Sequence, residues 1–274
     1  MRAWSRGHLA AGRTLGFVPT MGALHEGHGD LVRASRSTDD VTVISVFVNP
    51  TQFDDNADFD LYPRTLDADL SMARELGVHA LFAPSAHAMY RPGHDTVVSV
   101  GTLASTMEGA QRPGHFDGVA TVVTKLLHIV EPTRAWFGAK DWQQVTVVRR
   151  MVADLDMDVD IRTVPTRREP DGLAMSSRNT RLGERARGEA PCLWRGLAAA
   201  RDAHLAGESR SRVLADLVAR AIASADDCRL EYVCVVHPDS LEELEDTGDG
   251  AVICAAMWCD GVRLIDNVEL PASP

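Results

Sequence analysis

The sequence predicts an α/β protein built on a doubly wound parallel sheet and followed by a smaller α+β domain. Three observations carry this. From Thr14 to Val164, short apolar runs rich in β-branched residues alternate with helical stretches, the pattern of parallel strands joined by crossover helices. Residues 41–48 are an almost unbroken apolar run, as expected of a strand buried on both faces. Beyond residue 183 the alternation stops, and an alanine- and arginine-rich helical stretch gives way to consecutive strand-like runs.

Taken in order, the first element is a short strand at 14–18 closed by Pro19. A turn punctuated by Gly22 and Gly27 leads into a helical stretch at 30–35, and the strand at 41–48 follows. Thr65 suits the N-cap of a helix with Leu66, Leu70, Ala73 and Leu76 on one face and Gly77 as its stop. A strand at 78–82, closed by Pro84, precedes helix 118–130, strand 134–137, helix 142–155 and strand 159–164. In the second domain, residues 184–224 have helical periodicity in two segments broken near Gly207, and strands are expected at 230–236, 251–257 and 262–270. The join near 172–181 divides the chain into 1–173 and 174–274. The acidic stretch 242–249 reads as a solvated loop.

The chain has 274 residues, 45% of them apolar and 24% charged, which excludes a disordered or fibrous protein. Lys+Arg 28 against Asp+Glu 39 gives a net charge of −11, a field that repels nucleic acid and anionic membranes. A bound phosphate would therefore need a local cluster of donors. Cys192, Cys228, Cys234, Cys254 and Cys259 contain no CxxC pair and read as free, buried thiols of a reducing compartment. No signal-peptide core and no membrane-length apolar run is present, so a cytoplasmic location is expected. Of the 28 cationic side chains only Lys125 and Lys140 are lysines, a hint that a compact ammonium is needed there.

Three polar clusters could carry chemistry. Residues 20–28 run Thr-Met-Gly-Ala-Leu-His-Glu-Gly-His where the first strand meets the first helix, a favourable place for a phosphate. His25 and His28 can both face one ligand and donate to polyphosphate. The alternatives are a structural turn or a metal pair, although the HExxH spacing and a nearby third ligand are lacking. The second cluster, Phe137-Gly138-Ala139-Lys140-Asp141, also follows a strand and opens a helix, a second anion site. The third, Met175-Ser176-Ser177-Arg178-Asn179, lies on the interdomain segment, and its hydroxyls and guanidinium suit phosphate oxygens.

The strings VPTMGALHEGH (18–28), VFVNPTQF (46–53), YPRTLDADL (62–70), EGAQRPGHFDGV (108–119), FGAKDWQQ (137–144) and DGLAMSSRN (171–179), with LIDNVEL at 264–270, closely resemble the pantothenate synthetase (pantoate–β-alanine ligase) family. The resemblance implies a Rossmann-like sheet of the HxGH nucleotidyltransferase type with a C-terminal α+β lid. It also implies a two-step reaction. ATP and pantoate give pantoyl adenylate and pyrophosphate, and β-alanine then displaces AMP to form pantothenate. Met21, Gly22, Ala23, Leu24, His25, Glu26, Gly27 and His28 match the family's ATP-binding turn, with His28 as proton donor. Gly138, Ala139, Lys140 and Asp141, and Met175, Ser176, Ser177 and Arg178, match its other nucleotide contacts. Lys140 and the Ser-Ser-Arg run would meet the phosphates. Gln52 resembles the glutamine shared by pantoate and β-alanine, and Gln144 the second glutamine on pantoate. Asp69 matches a carboxylate near the Mg²⁺ that accompanies ATP; the alternative is a surface helix residue, as a structural turn is for His115.

The resemblance further implies a homodimer and a C-terminal domain that closes over ATP. A nucleotidylyltransferase of the same superfamily is disfavoured by the two glutamines, and a non-catalytic module by the presence of His25, His28, Lys140 and Arg178. Ala139 stands where the family has glutamate, Gly29 where it has leucine, and Arg167 where it has a small apolar residue. Thirteen residues precede Thr14, room for a helix, so no counterpart of the family's first strand is expected within this sequence, whether through a late start or a trimmed sheet edge.

Overall fold

Leu15, Phe17 and Val18 are fully buried, as are Val41, Val43 and Ile44, and these two runs lie side by side as parallel strands. The structure, a computed structural model, describes residues 1–53 and 56–272. The chain divides into two compact units, Met1–Ala139 with Gln143–Pro165, and Lys140–Trp142 with Thr166–Pro274.

In the first unit, α1 (Arg2–Ala10), β1 (Leu15–Thr20), α2 (Glu26–Thr38) and β2 (Val41–Val46) are followed by the short α3 (Asn56–Leu61). Then come α4 (Leu66–Glu75), β3 (Ala80–Phe82), the short α5 (Ala86–Met89) and α6 (Met107–Gln111), α7 (His115–Val130), β4 (Arg134–Gly138), α8 (Trp142–Asp154) and β5 (Asp160–Val164). The five strands are parallel in the order β3-β2-β1-β4-β5, the doubly wound sheet expected. The short α3, α5 and α6 were not foreseen, because a helix of one or two turns shows no apolar periodicity. Observed strands and helices otherwise differ from expectation mainly at their ends, as where β2 stops at Val46 and α7 begins three residues early at His115.

The strand order reverses between β1 and β4, and ligands of such sheets bind at the carboxyl ends of the strands there. Pro19 opens that point. It has no N–H to donate, and β1 pairs with β4 only at Gly16 and Phe17, before the proline. The helix α2 packs across β1 and β4, burying Leu31 and Val32 against Val18, Ile44 and Trp136. Beneath it, the buried Asp39 carboxylate takes hydrogen bonds from Arg134 (2.7 Å) and the Trp136 indole (2.9 Å).

At the opposite, amino end of β2, the His79 ring accepts at Nδ1 from the Thr42 N–H (2.9 Å). Burial, and then the neighbouring Arg36, lower its pKa, so the neutral ring is the folded form. A depressed histidine pKa stabilises at high pH, and that contribution is lost as the pH falls through the folded value. We expect the wild-type melting temperature to drop between about pH 7 and 5, and His79→Asn, which keeps an acceptor, to drop less; equal slopes would refute the assignment.

The second unit contains α9 (Glu184–Glu189), α10 (Cys192–Leu205) and α11 (Ser211–Ala223), then the antiparallel β6 (Cys228–Val236), β7 (Ala251–Cys259) and β8 (Val262–Leu270). Leu193, Leu197, Leu214, Val218 and Ile222 pack with Ile253, Met257 and Leu264 of the sheet, which is the small α+β architecture expected. The chain breaks at Gly207, where φ is +102°. Residues 166–173, left with the first domain in the sequence reading, lie in this unit. Arg168 forms an ion pair with buried Asp266 (2.6 Å), sits 3.4 Å from the centre of the Trp194 ring, and bridges to Ala174.

One expectation is corrected here. Cys228 and Cys259 form a disulfide rather than two free thiols. They stand opposite each other in the β6–β7 register, a proximity that strand pairing creates and spacing does not announce. Cys192 and Cys254 are buried thiols outside the disulfide, and Cys234 is a partly buried one. The acidic stretch 242–249 exposes all its acidic residues, as expected, and is also tied down at three points. Glu243 bridges to Val236 and Asp246 to Arg210, and fully buried Thr247 bonds to His204 and the Ser209 carbonyl. Among the described residues no helix is long and apolar enough to cross a membrane.

Candidate active site

The turn after β1 is held by groups at its base. Thr20 donates its hydroxyl to the Ser45 carbonyl (2.6 Å) and accepts from the Gly22 N–H (3.1 Å). Gly22 has φ +86°, and a Cβ there would lie 2.8 Å from Val46 and 2.9 Å from Asp69, so only glycine fits. Ala23 also takes a left-handed conformation, φ +50°, unfavourable for a residue with a Cβ. The Asp69 carboxylate, 2% exposed, compensates. It accepts from the Ala23 N–H (3.2 Å) and the Leu24 N–H (2.8 Å), and from the Thr65 hydroxyl (3.3 Å).

His25 is the N-cap of α2, and its Nδ1 accepts from the Gly27 N–H (3.2 Å). His28 Nδ1 accepts from the His25 N–H (3.2 Å), closing a reciprocal cap. Both rings therefore carry their proton on Nε2 when neutral. Their ring centroids lie 4.1 Å apart at the helix N-terminus, a place where N–H donors suit an oxyanion. Glycine at position 29 is accommodated by its neighbours, since a Cβ there would meet Arg33 at 3.1 Å and Met72 at 3.3 Å.

Gln52 closes a 3-10 turn, Pro50–Gln52, that follows β2, and is brought to the turn after β1, with its Nε2 3.3 Å from the Met21 sulfur. Its carbonyl accepts from His115 Nδ1 (2.7 Å) and from Arg112 (3.2 Å), which gives His115 a structural part. Helix α7 comes so close that a Cβ on Gly118 would lie 2.3 Å from the Thr51 carbonyl. Of the two adjacent glutamines on α8, Gln143 is fixed to the Glu108 N–H and the carbonyls of Leu103 and Thr106. Gln144 is half-buried. The sequence reading missed Asn49, which bonds to Gln52, and Tyr90, which bonds to Asn49.

Gly138 ends β4, the strand beside β1, and Ala139 opens the 3-10 turn that follows. In the second unit, Lys140 pairs with Asp141 (3.2 Å), its carbonyl accepts from Asn267 Nδ2 (2.8 Å), and the Trp142 indole donates to the Pro238 carbonyl (3.1 Å). Ser176 caps a 3-10 turn at Ser177–Arg181 by accepting from the Arg178 N–H (3.3 Å). The Arg167 carbonyl accepts from the Met175 N–H (2.9 Å) while its side chain is exposed, so the arginine leaves that main-chain contact intact.

Asp69 does not fit a resident Mg²⁺ ligand. Magnesium needs open oxygen ligands in near-octahedral array with room for water, whereas both Asp69 oxygens are buried against amide N–H groups. Among the described residues no group of three or more His, Cys, Asp or Glu could hold a metal ion.

The family model for pantoate–β-alanine ligase matches residues 1–269. A pantothenate synthetase of Moorella thermoacetica is 46% identical over 269 residues, 97% of this chain and 95% of the relative. One of Geobacter sulfurreducens is 47% identical over 270 residues, 98% and 95% of the two chains. The crystal structure of pantothenate synthetase from Thermus thermophilus superposes with a TM-score of 0.91 at 46% identity, covering 94% of each chain. That of the Francisella tularensis ligase, complexed with β-γ ATP and β-alanine, gives 0.78 at 32% identity, covering 97% of this chain and 94% of that one.

Proposed function

The chain belongs to the pantoate–β-alanine ligase family, and from that premise we propose that it condenses pantoate with β-alanine through a pantoyl-adenylate intermediate. The observation that carries the reading is the His25–His28 cap, in which both Nδ1 atoms are engaged and both Nε2–H groups are held at one helix N-terminus. In the first step a pantoate carboxylate oxygen attacks the α-phosphorus of ATP and the bond to pyrophosphate breaks. Charge grows on phosphate oxygens, and positioned cations and N–H donors are what such a transition state needs.

His28 is assigned as proton donor to that charge, with His25 beside it, and the 21–28 turn as the ATP cradle. Lys140, Ser176, Ser177 and Arg178 are assigned to the phosphates, with Gly138, Ala139, Asp141 and Met175 as further nucleotide contacts. Gln52 and Gln144 are assigned to pantoate, and Gln52 also to β-alanine. In the second step the β-alanine amine attacks the acyl carbon, the acyl–phosphate oxygen bond breaks, and AMP leaves. The Mg²⁺ of this reading arrives with ATP as part of the substrate and neutralises phosphate charge. The family resemblance also supports a homodimer.

The test is pyrophosphate release from ATP and Mg²⁺, with pantoate alone and then with β-alanine. We expect pantoate-dependent release that turns over repeatedly only with β-alanine, with AMP and pantothenate in equal amounts. Pyrophosphate release that ignores pantoate in folded protein would overturn the reading.

A further inference from the structure

Gln52 is 8% exposed and Asn49 1% exposed, and the two amides are hydrogen-bonded to each other. Asn49 Nδ2 donates to Gln52 Oε1 (3.0 Å) and to the Gly118 carbonyl (3.2 Å). On its other side, Asn49 Oδ1 accepts from the Tyr90 hydroxyl (2.7 Å), from the Thr51 hydroxyl (3.0 Å) and, at longer range, from the Thr51 N–H (3.4 Å). A backbone carbonyl can only accept and a backbone N–H can only donate. The orientation of the Asn49 amide is therefore dictated by the main chain at both ends. Gln52 must then turn its oxygen towards Asn49 and its NH₂ towards Met21.

We infer that Tyr90 is a positioning residue for the acid-substrate site: its hydroxyl makes the shortest of the contacts that hold Asn49, and Asn49 in turn fixes Gln52 with its NH₂ turned away from Asn49, on the Met21 side, where it would donate to an acceptor oxygen of the substrate. This deepens the functional reading above and rests on it for the identity of the acid. Tyr90 is placed for the task by its own surroundings. Its ring stands 6.3 Å from that of Phe47 and 5.0 Å from that of His94, and the Lys125 ammonium lies 5.5 Å from its centre. One of the chain's two lysines thus acquires a contact. Burial raises the Tyr90 pKa, which keeps the phenol a donor over the working pH range. A glutamine free to rotate could serve either a donor or an acceptor. This one is committed to an acceptor, such as a carboxylate or hydroxyl oxygen, and selects against an ammonium at the same spot.

The experiment compares wild type with Tyr90→Phe and Gln52→Glu in the full chain. In Tyr90→Phe we expect the KM for pantoate to rise about tenfold, the effect of one lost hydrogen bond, while the KM for ATP and kcat stay within about threefold. A structural role alone would lower the melting temperature and leave the KM values of folded protein unchanged, which would overturn the inference. Gln52→Glu replaces the Gln52 NH₂ by a carboxylate oxygen while retaining an acceptor for Asn49, so pantoate-dependent turnover should fall more than about a hundredfold; retained turnover would also overturn it. A readout independent of the substrate is exchange of the Asn49 side-chain amide hydrogens with water, followed by NMR. It should be slow in wild type and at least about tenfold faster in Tyr90→Phe. If wild type fails to use pantoate, the functional reading fails, and this exchange alone decides the inference: unchanged exchange would overturn it.

Discussion

Lys140→Ala should lose pantoate-dependent pyrophosphate release by a factor of about 10²–10³, the usual consequence of deleting one donor to transition-state charge. The fold should survive. The side chain is partly exposed and its ion pair is with the more exposed Asp141, a class of interaction worth about 0–1 kcal/mol. The main chain at this position is anchored independently of the side chain, by Asn267 donating to the Lys140 carbonyl. Lys140→Arg should not restore the rate, because a planar guanidinium on a longer arm cannot replace a compact ammonium. The measurement is initial-rate pyrophosphate release at saturating ATP, alongside the melting temperature. An alanine variant within about threefold of wild type would remove Lys140 from the phosphate site.

What was legible in the sequence was what depends on local pattern. The run at 41–48 was readable because a strand buried on both faces needs apolar residues at every position, and Val41, Val43 and Ile44 are indeed fully buried. The glycine-rich turn was readable because a left-handed backbone writes itself as glycine, here Gly22. Long-range register was not readable. Cys228 meets Cys259 only through the β6–β7 pairing, and Tyr90 meets Asn49 across 41 residues of sequence. The tautomers of His25 and His28 follow from which N–H groups cap which ring, information that two histidines three residues apart do not contain. Thr247 shows the same limit in reverse, a threonine in an acidic stretch that is buried by contacts from another helix.

Asp69→Asn has the second large expected effect, and it separates two roles that sequence resemblance leaves merged. Two backbone N–H groups, from Ala23 and Leu24, point at different oxygens of one carboxylate. An asparagine can accept at only one of them and must set its NH₂ against the other N–H. Leaving a buried donor unmatched costs about 1–3 kcal/mol, and the Ala23 conformation at φ +50° depends on that anchoring. The turn that presents the His25 and His28 donors should therefore loosen. We expect the KM for ATP to rise by about tenfold or more and turnover to fall by a further factor of about 10. The Mg²⁺ concentration giving half-maximal rate, measured at saturating ATP, should stay within about twofold of wild type. A metal ligand would behave in the opposite way, raising the Mg²⁺ requirement while leaving the ATP KM unchanged once Mg²⁺ is saturating. That result would return Asp69 to the metal, and the turn would then need another explanation for how Ala23 is held.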